Sequence, residues 1–147
     1  MARQTKMPAN LLAFASDPLA NFKHERVTIE EWGNAELIVR ALSAEDWAGY
    51  RDQLNELEAV ALQQKGYSSR EEVPEGVKVA INVYQAYAYV LCRCLYYPNG
   101  ERAFPDVAVA TIAPAYGPIH DRLVTLAFNL SGAAVSSADP VADAGNA

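Results

Sequence analysis

The chain has 147 residues and a mass of 16.0 kDa, with 51% hydrophobic and 20% charged residues, a composition that suits one folded domain with a core of its own and excludes a disordered or collagen-like chain. The net charge of −6 and pI near 4.8 speak against a nucleic-acid binder, which must neutralise phosphates with clustered Lys and Arg. Charge is uneven: His24 to Gly76 holds 12 acidic against 5 basic residues, so this segment alone carries −7. It reads as a solvated face that keeps the protein in solution, with partner steering as the alternative.

Residues 1–8 carry Arg3 and Lys6 with little apolar content and are expected to form a flexible arm. Leu11 to Phe14 is the first apolar island. Ser16-Asp17-Pro18 follows, and the extended conformation demanded before Pro turns a short helix into a turn. Alternation in Arg26 to Trp32 and the β-branched run Ala35 to Arg40, separated by Gly33-Asn34, predict a β-hairpin with a two-residue type I′ or II′ turn. A lone hairpin is barely stable in water, so it must lie on helices or pair its edge with another copy.

Ser43 is a good N-cap because its hydroxyl can accept from the amide of Asp46, and Glu45 and Asp46 favour the positive end of the helix dipole. Trp47, Tyr50, Leu54, Leu57 and Ala61 then form one apolar stripe, with Gly66 as the stop. Residues 67–76 are polar, contain Pro74 and Gly76, and read as a loop. From Val77 to Tyr97 the apolar run predicts one long central helix, relieved by a polar stripe of Lys78, Asn82, Gln85, Tyr89 and Arg93. Val79, Ile81, Val83, Tyr84, Tyr87, Val90, Leu91 and Leu95 are expected to be buried. Those polar residues also make the run a poor membrane span, so no membrane is implied.

Pro98-Asn99-Gly100 predicts a tight turn. Phe104-Pro105-Asp106 opens a short helix to Ala113, Pro114 to Gly117 breaks it, and Pro118 starts a last helix with Ile119, Leu123, Leu126 and Leu130 on its apolar side. After Gly132 the residues are small and lack aromatics, so 133–147 is expected to be a flexible tail. The fold class expected is mainly α: four to five helices over 9–132, with one N-terminal β-hairpin packed on them.

Catalytic chemistry is hard to find. The two His residues, His24 and His120, have no nucleophile or ligand cluster beside them, and His120 reads as a surface imidazole in the first turn of a helix. Cys92 and Cys94, two apart on a helix, point to opposite sides and read as buried thiols rather than a metal clamp. Glu30-Glu31 and Glu71-Glu72 diverge as neighbours and cannot converge on a substrate. There is no Gly-rich phosphate loop. No enzyme activity, cofactor or metal is expected.

Aromatic residues are the more telling feature, with Tyr84, Tyr87, Tyr89, Tyr96 and Tyr97 on the central segment and Trp32 and Trp47 flanking the second strand. Most read as core. Because Tyr and Trp dominate protein interfaces, Trp32, Tyr89, Tyr96 and Tyr97 are the candidates for partner contact, Tyr89 because it lies on the polar stripe.

The block Glu31-Trp32-Gly33-Asn34-Ala35-Glu36-Leu37-Ile38-Val39-Arg40-Ala41-Leu42-Ser43-Ala44-Glu45 resembles the signature of tail assembly chaperones from long-tailed bacteriophages: EWG, a strand ending in VR-L, then a Ser-capped helix. Cys94 to Phe104 and Leu123 to Gly132 resemble that family's Gly turn followed by a basic residue and Phe, and its LSG closing helix. The likeness runs from about Asn10 to Gly132. It departs from the family's pattern in a longer loop at 67–76 and in Tyr96-Tyr97-Pro98, where an acidic turn is usual. The resemblance implies a non-enzymatic morphogenesis factor in the cytoplasm of the infected bacterium, absent from the mature virion. It implies binding to the tape measure protein and the tail tube (major tail) subunits, and the lone hairpin adds the expectation of a homo-oligomer formed through its edge. The competing readings are a structural virion protein of the head-tail joining region and a small enzyme.

Overall fold

A computed structural model describes residues 10–132; the expected arm at 1–8 and tail at 133–147 lie outside them. The elements are α1 (Leu11–Ala15), β1 (His24–Ile29), β2 (Ala35–Arg40), α2 (Ala44–Gln64), α3 (Tyr84–Cys94), β3 (Leu95–Tyr96), α4 (Val109–Ile112) and α5 (Pro118–Leu130), with short 3₁₀ turns between several of them. The described residues are thus mainly α with a small antiparallel sheet, as expected.

The hairpin forms, but β1 stops at Ile29, three residues early. Its register runs from His24↔Arg40 to Ile29↔Ala35, and Glu30–Trp32 coils into a 3₁₀ turn. The connection is therefore five residues instead of two. Gly33 (φ 71°) and Asn34 (φ 59°) close it in the left-handed region, which Gly and Asn tolerate best. Coiling turns Trp32 inward onto Phe104 and His120, at ring-centroid distances of 6.3 and 5.3 Å.

α2 begins where the local chemistry puts it. Ser43 Oγ accepts from the Asp46 amide and Asp46 Oδ2 accepts from the Ser43 amide, both at 3.0 Å, a reciprocal capping box. Tyr50 and Leu62 are buried on its inner side, and Trp47, Leu54, Leu57 and Ala61 are half-buried.

The long central helix is a correction. Residues 77–82 have no regular secondary structure, and α3 begins only at Tyr84, whose amide is capped by Asn82 Oδ1 at 3.0 Å. Four β-branched residues at alternate positions, Val77, Val79, Ile81 and Val83, prefer the pleat over the helix, where their χ1 freedom is lost. At the other end Leu95 and Tyr96 leave the helix to pair with Val39 and Ile38 as β3, adding a third strand in the order β1-β2-β3. Pro98-Asn99-Gly100 turns tightly as predicted, with the Gly100 amide donating to Tyr97 O at 3.0 Å, and Arg102 bridges back to Tyr96.

α3 is nonetheless central, since α2, α4 and α5 all pack on it. Ala86, Val90, Leu91 and Cys94 of α3 meet Ile29, Leu37 and Val39 of the hairpin and Leu123, Val124, Ala127 and Phe128 of α5 in one cluster. Residues 106–115 coil as a 3₁₀ turn, the four-residue α4 and a second 3₁₀ turn, so the break expected from Pro114 comes only at Tyr116-Gly117, because Pro is tolerated in the first turn of a helix. α5 keeps its predicted span, and Ser131 ties its end to the strand-helix corner: Oγ accepts from the Leu42 amide at 2.9 Å and donates to Ala127 O at 2.7 Å.

Candidate functional site

Asp46, the capping residue, is also the centre of a buried charge cluster. It has no solvent exposure. Oδ2 accepts from Arg40 Nη2 at 2.5 Å and Oδ1 from Arg93 Nε at 2.8 Å. Arg40, at the end of β2 and 5% exposed, donates onward to Ala41 O at 3.1 Å and Pro18 O at 3.0 Å. Its guanidinium lies over the Phe22 and Tyr96 rings, 4.3 and 4.9 Å from their centroids. Arg93, on α3, also pairs with Glu45 and, at 3.3 Å, with Asp106. Burial works against its charge, but Asp46 and Glu45, with a smaller contribution from Tyr89, together raise the guanidinium's pKa above its ordinary value. Arg102 donates to Cys92 O at 3.0 Å and pairs with Asp106, whose carboxyl is held low by these cations despite partial burial. Two cations share one carboxylate, and every charge has an opposite. The cluster locks four chain segments together and leaves no poised acid, base or nucleophile.

A second network is aromatic. Trp47 stacks on Phe128, which meets Tyr50 and Tyr87; Tyr87 meets Tyr84 and Tyr116; Tyr116 stacks on His120, and His120 meets Trp32 and Phe104 follows. His120 is thus half-buried between two rings, a correction to its reading as a surface imidazole. Its Nδ1 accepts from the Gly117 amide at 2.9 Å, capping α5, and burial lowers its pKa. An accepting Nδ1 requires the neutral ring, which removes the conflict with the positive end of the helix. Burial raises the Tyr116 hydroxyl, which donates to Asp121 Oδ1 at 3.1 Å.

The four aromatic candidates are not gathered into one patch: among the described residues no ring contact joins any two of them. Trp32 is half-buried in the aromatic network. Tyr96 is 5% exposed and lies beneath Arg40. Tyr97 is 46% exposed at the turn. Tyr89 is half-buried across α2, where a Cβ on Gly49 would sit 1.8 Å from its hydroxyl oxygen. Gly49 is therefore the notch that admits the ring, a role visible in the sequence only as a Gly in the middle of a helix.

The outer surface is apolar in several places. α1 buries none of its residues; Leu11, Leu12 and Phe14 are all exposed, Leu12 at 80%, and Val107 and Tyr84 stand out elsewhere. Among the described residues there is no group of three His, Cys, Asp or Glu able to hold a metal ion, and no helix is long and apolar enough to cross a membrane. Burial raises both thiols, Cys92 to about 11 and Cys94 further, so neither is an activated nucleophile.

The sequence profile of a family described as phage tail assembly chaperone matches residues 10–145, nearly the whole chain. The chain belongs to this family. Its fold is similar to that of the tail assembly chaperone of bacteriophage HK97, with a TM-score of 0.56, 21% identity, and coverage of 84% of this chain and 98% of that one. No curated protein sequence matches. In this tail assembly chaperone the buried charge cluster and the aromatic network join the sheet, α2, α3 and α5 into one framework.

Proposed function

We propose that this chaperone acts by transient adhesion, making and breaking no covalent bond. Its partners are the tape measure protein and the tail tube subunits, bound in the cytoplasm of the infected bacterium while the tail is built. It leaves before the mature virion is complete. The observation that carries this reading is α1, a helical turn whose Leu11, Leu12 and Phe14 are all turned to solvent. Burying a large apolar side chain is worth about 1.5–3 kcal/mol, so Leu12 and Phe14 gain from a partner a burial that the described residues do not supply. We assign further ring contact to Tyr97 and to the open side of Trp32, with Tyr89 and Tyr96 supporting the surface from beneath. Copies that also associate with one another through the hairpin edge would multiply weak contacts along an extended tape measure by raising effective concentration.

Pull-down of purified tape measure protein and tail tube subunit by the wild-type chain tests the reading, with Leu12→Glu and Phe14→Glu as partners. Wild type is expected to retain at least one of the two. Each variant is expected to bind at least tenfold more weakly while keeping the wild-type circular dichroism spectrum. Failure of the wild-type chain to bind either subunit overturns the proposal. Mass spectrometry of purified particles should find the chain absent; a fixed copy number per particle would instead make it a structural component of the head-tail joining region.

A further inference from the structure

β1 is the edge of the sheet, and native proteins commonly cover such a strand, because its unpaired backbone groups recruit other chains. A groove of about 530 Å³ runs between β1 and α5, with Val27, Leu123 and Leu126 on its walls. Its rim is acidic. Glu31 pairs there with Arg122 at 3.3 Å, but Glu25 and Glu30 are exposed and form no ion pair among the described residues. Two other clefts of similar size differ on this point. Beside α2, Glu58 is taken by Arg70. Between residues 17–20 and the Pro98 turn, Asp17 accepts from the Leu19 and Ala20 amides and Glu101 from Asn99.

Apolar walls beneath two unpaired carboxylates suit a segment that carries cations, adaptable apolar side chains and no acid. Residues 1–9 contain Arg3, Lys6, Met1 and Met7 and no Asp or Glu, and Met fills irregular gaps well. Residues 133–147 contain Asp139 and Asp143 and no Lys or Arg, so the same rim repels them.

The chain is long enough. The Asn21 side chain donates to Phe14 O at 2.8 Å, which holds the end of α1 beside the approach to β1. At about 1.5 Å per helical residue and about 3.4 Å per extended residue, Asn10 lies at most about 30 Å from Glu25. The seven residues back to Arg3 span about 24 Å, and the Arg and Glu side chains close the remainder.

We propose that residues 1–9 lie in this groove of their own copy, with Arg3 and Lys6 on Glu25 and Glu30 and a methionine over Val27 and Leu126. The arm thereby covers the sheet edge. It holds closed the edge through which copies associate in the proposed function; that consequence, unlike the docking itself, rests on that reading.

A spin label on Thr5→Cys, read by amide NMR of the full chain, tests the docking; Cys92 and Cys94 are buried and do not compete for the label. The amides of Val27, Thr28 and Leu126 are expected to lose most of their intensity, while those of Ser68 and Ser69 in the cleft beside α2 keep theirs. Glu25→Gln with Glu30→Gln, or Arg3→Glu with Lys6→Glu, should restore the groove signals; the first pair changes only exposed side chains and the second lies outside the described residues. Uniform broadening, or groove broadening that survives both charge changes, overturns the docking. So does broadening of an isotope-labelled chain by a spin-labelled chain mixed with it, since the occupant is then the arm of a second copy. In sedimentation velocity, Arg3→Glu with Lys6→Glu should associate at a several-fold lower concentration than wild type, and association at the same concentration overturns the covering role. A chain that stays monomeric in both forms overturns the self-association in the proposed function, while the docking stands or falls by the NMR result.

Discussion

Replacing Asp46 by Asn keeps the shape of the side chain and removes its charge. In the native protein the carboxylate accepts two charge-assisted hydrogen bonds, from Arg40 and Arg93, and one from the Ser43 amide, at zero solvent exposure. Asn offers one acceptor oxygen and turns an NH₂ group toward a guanidinium, so at least one charge-assisted bond, worth about 1.5–3 kcal/mol, is lost. The larger part of the cost comes from what remains. Among the described residues Arg40 meets no other carboxylate, and it is 5% exposed, whereas Arg93 keeps Glu45 and Asp106. Breaking a buried pair and stranding its partner costs about 3–5 kcal/mol. For a chain of this size that corresponds to a fall in Tm on the order of 12–20 °C. Urea unfolding followed by circular dichroism, read as a change in midpoint at constant slope, measures it. Arg93→Gln should cost clearly less, because Arg40 then still neutralises Asp46. A loss under 1 kcal/mol for Asp46→Asn, or a greater loss for Arg93→Gln, would refute the view that Asp46 holds these segments together by charge.

Gly49→Ala should destabilise by about 1–3 kcal/mol, since the new methyl displaces the Tyr89 ring; the double variant with Tyr89→Ala should cost less than the sum of the two singles, and strict additivity in urea melts would show the contact to be unimportant. His120 is neutral when folded and its pKa is lowered by burial from the ordinary 6.5, so the unfolded chain takes up a proton first as pH falls. Stability attributable to this residue is fully present above about pH 6.5 and declines below it. Unfolding midpoints at pH 7.5 and 5.5 should differ less in His120→Gln than in wild type, and an unchanged difference would count against the buried imidazole. The raised thiol pKa values and full burial of Cys92 and Cys94 predict no reaction with a thiol reagent at pH 8 in the native protein and two equivalents in denaturant; rapid native labelling would contradict the packing of α3.

Sequence reading succeeded where the determining interaction is local. The Ser43 cap, the tight turn at Pro98-Asn99-Gly100 and the start of α5 after Gly117 each depend on groups within a few residues of one another, so type and spacing suffice. The resemblance built on Glu31 to Glu45 and the closing LSG held for the same reason: strand end, cap and helix are one contiguous unit. The start of the central helix failed because a run that is apolar throughout shows no clear period. Val77, Val79, Ile81 and Val83 alternate, yet they merge with a genuine buried helix beginning seven residues later. β3 could not be seen at all, because two residues become a strand only when β2 lies beside them.

The candidate site divides along the same line. Trp32, Tyr89, Tyr96 and Tyr97 could be chosen from the sequence as residues suited to interfaces, but their degree of exposure could not. That is settled by neighbours distant in the chain: Phe104 and His120 for Trp32, Gly49 for Tyr89, Arg40 for Tyr96. Asp46 shows both levels in one side chain. Its capping role was written in Ser43-Ala44-Glu45-Asp46, because three residues span one helical turn. Its pairing with Arg93, 47 residues away, awaited the packing of α2 on α3, since only tertiary structure brings into contact charges that the chain itself holds far apart.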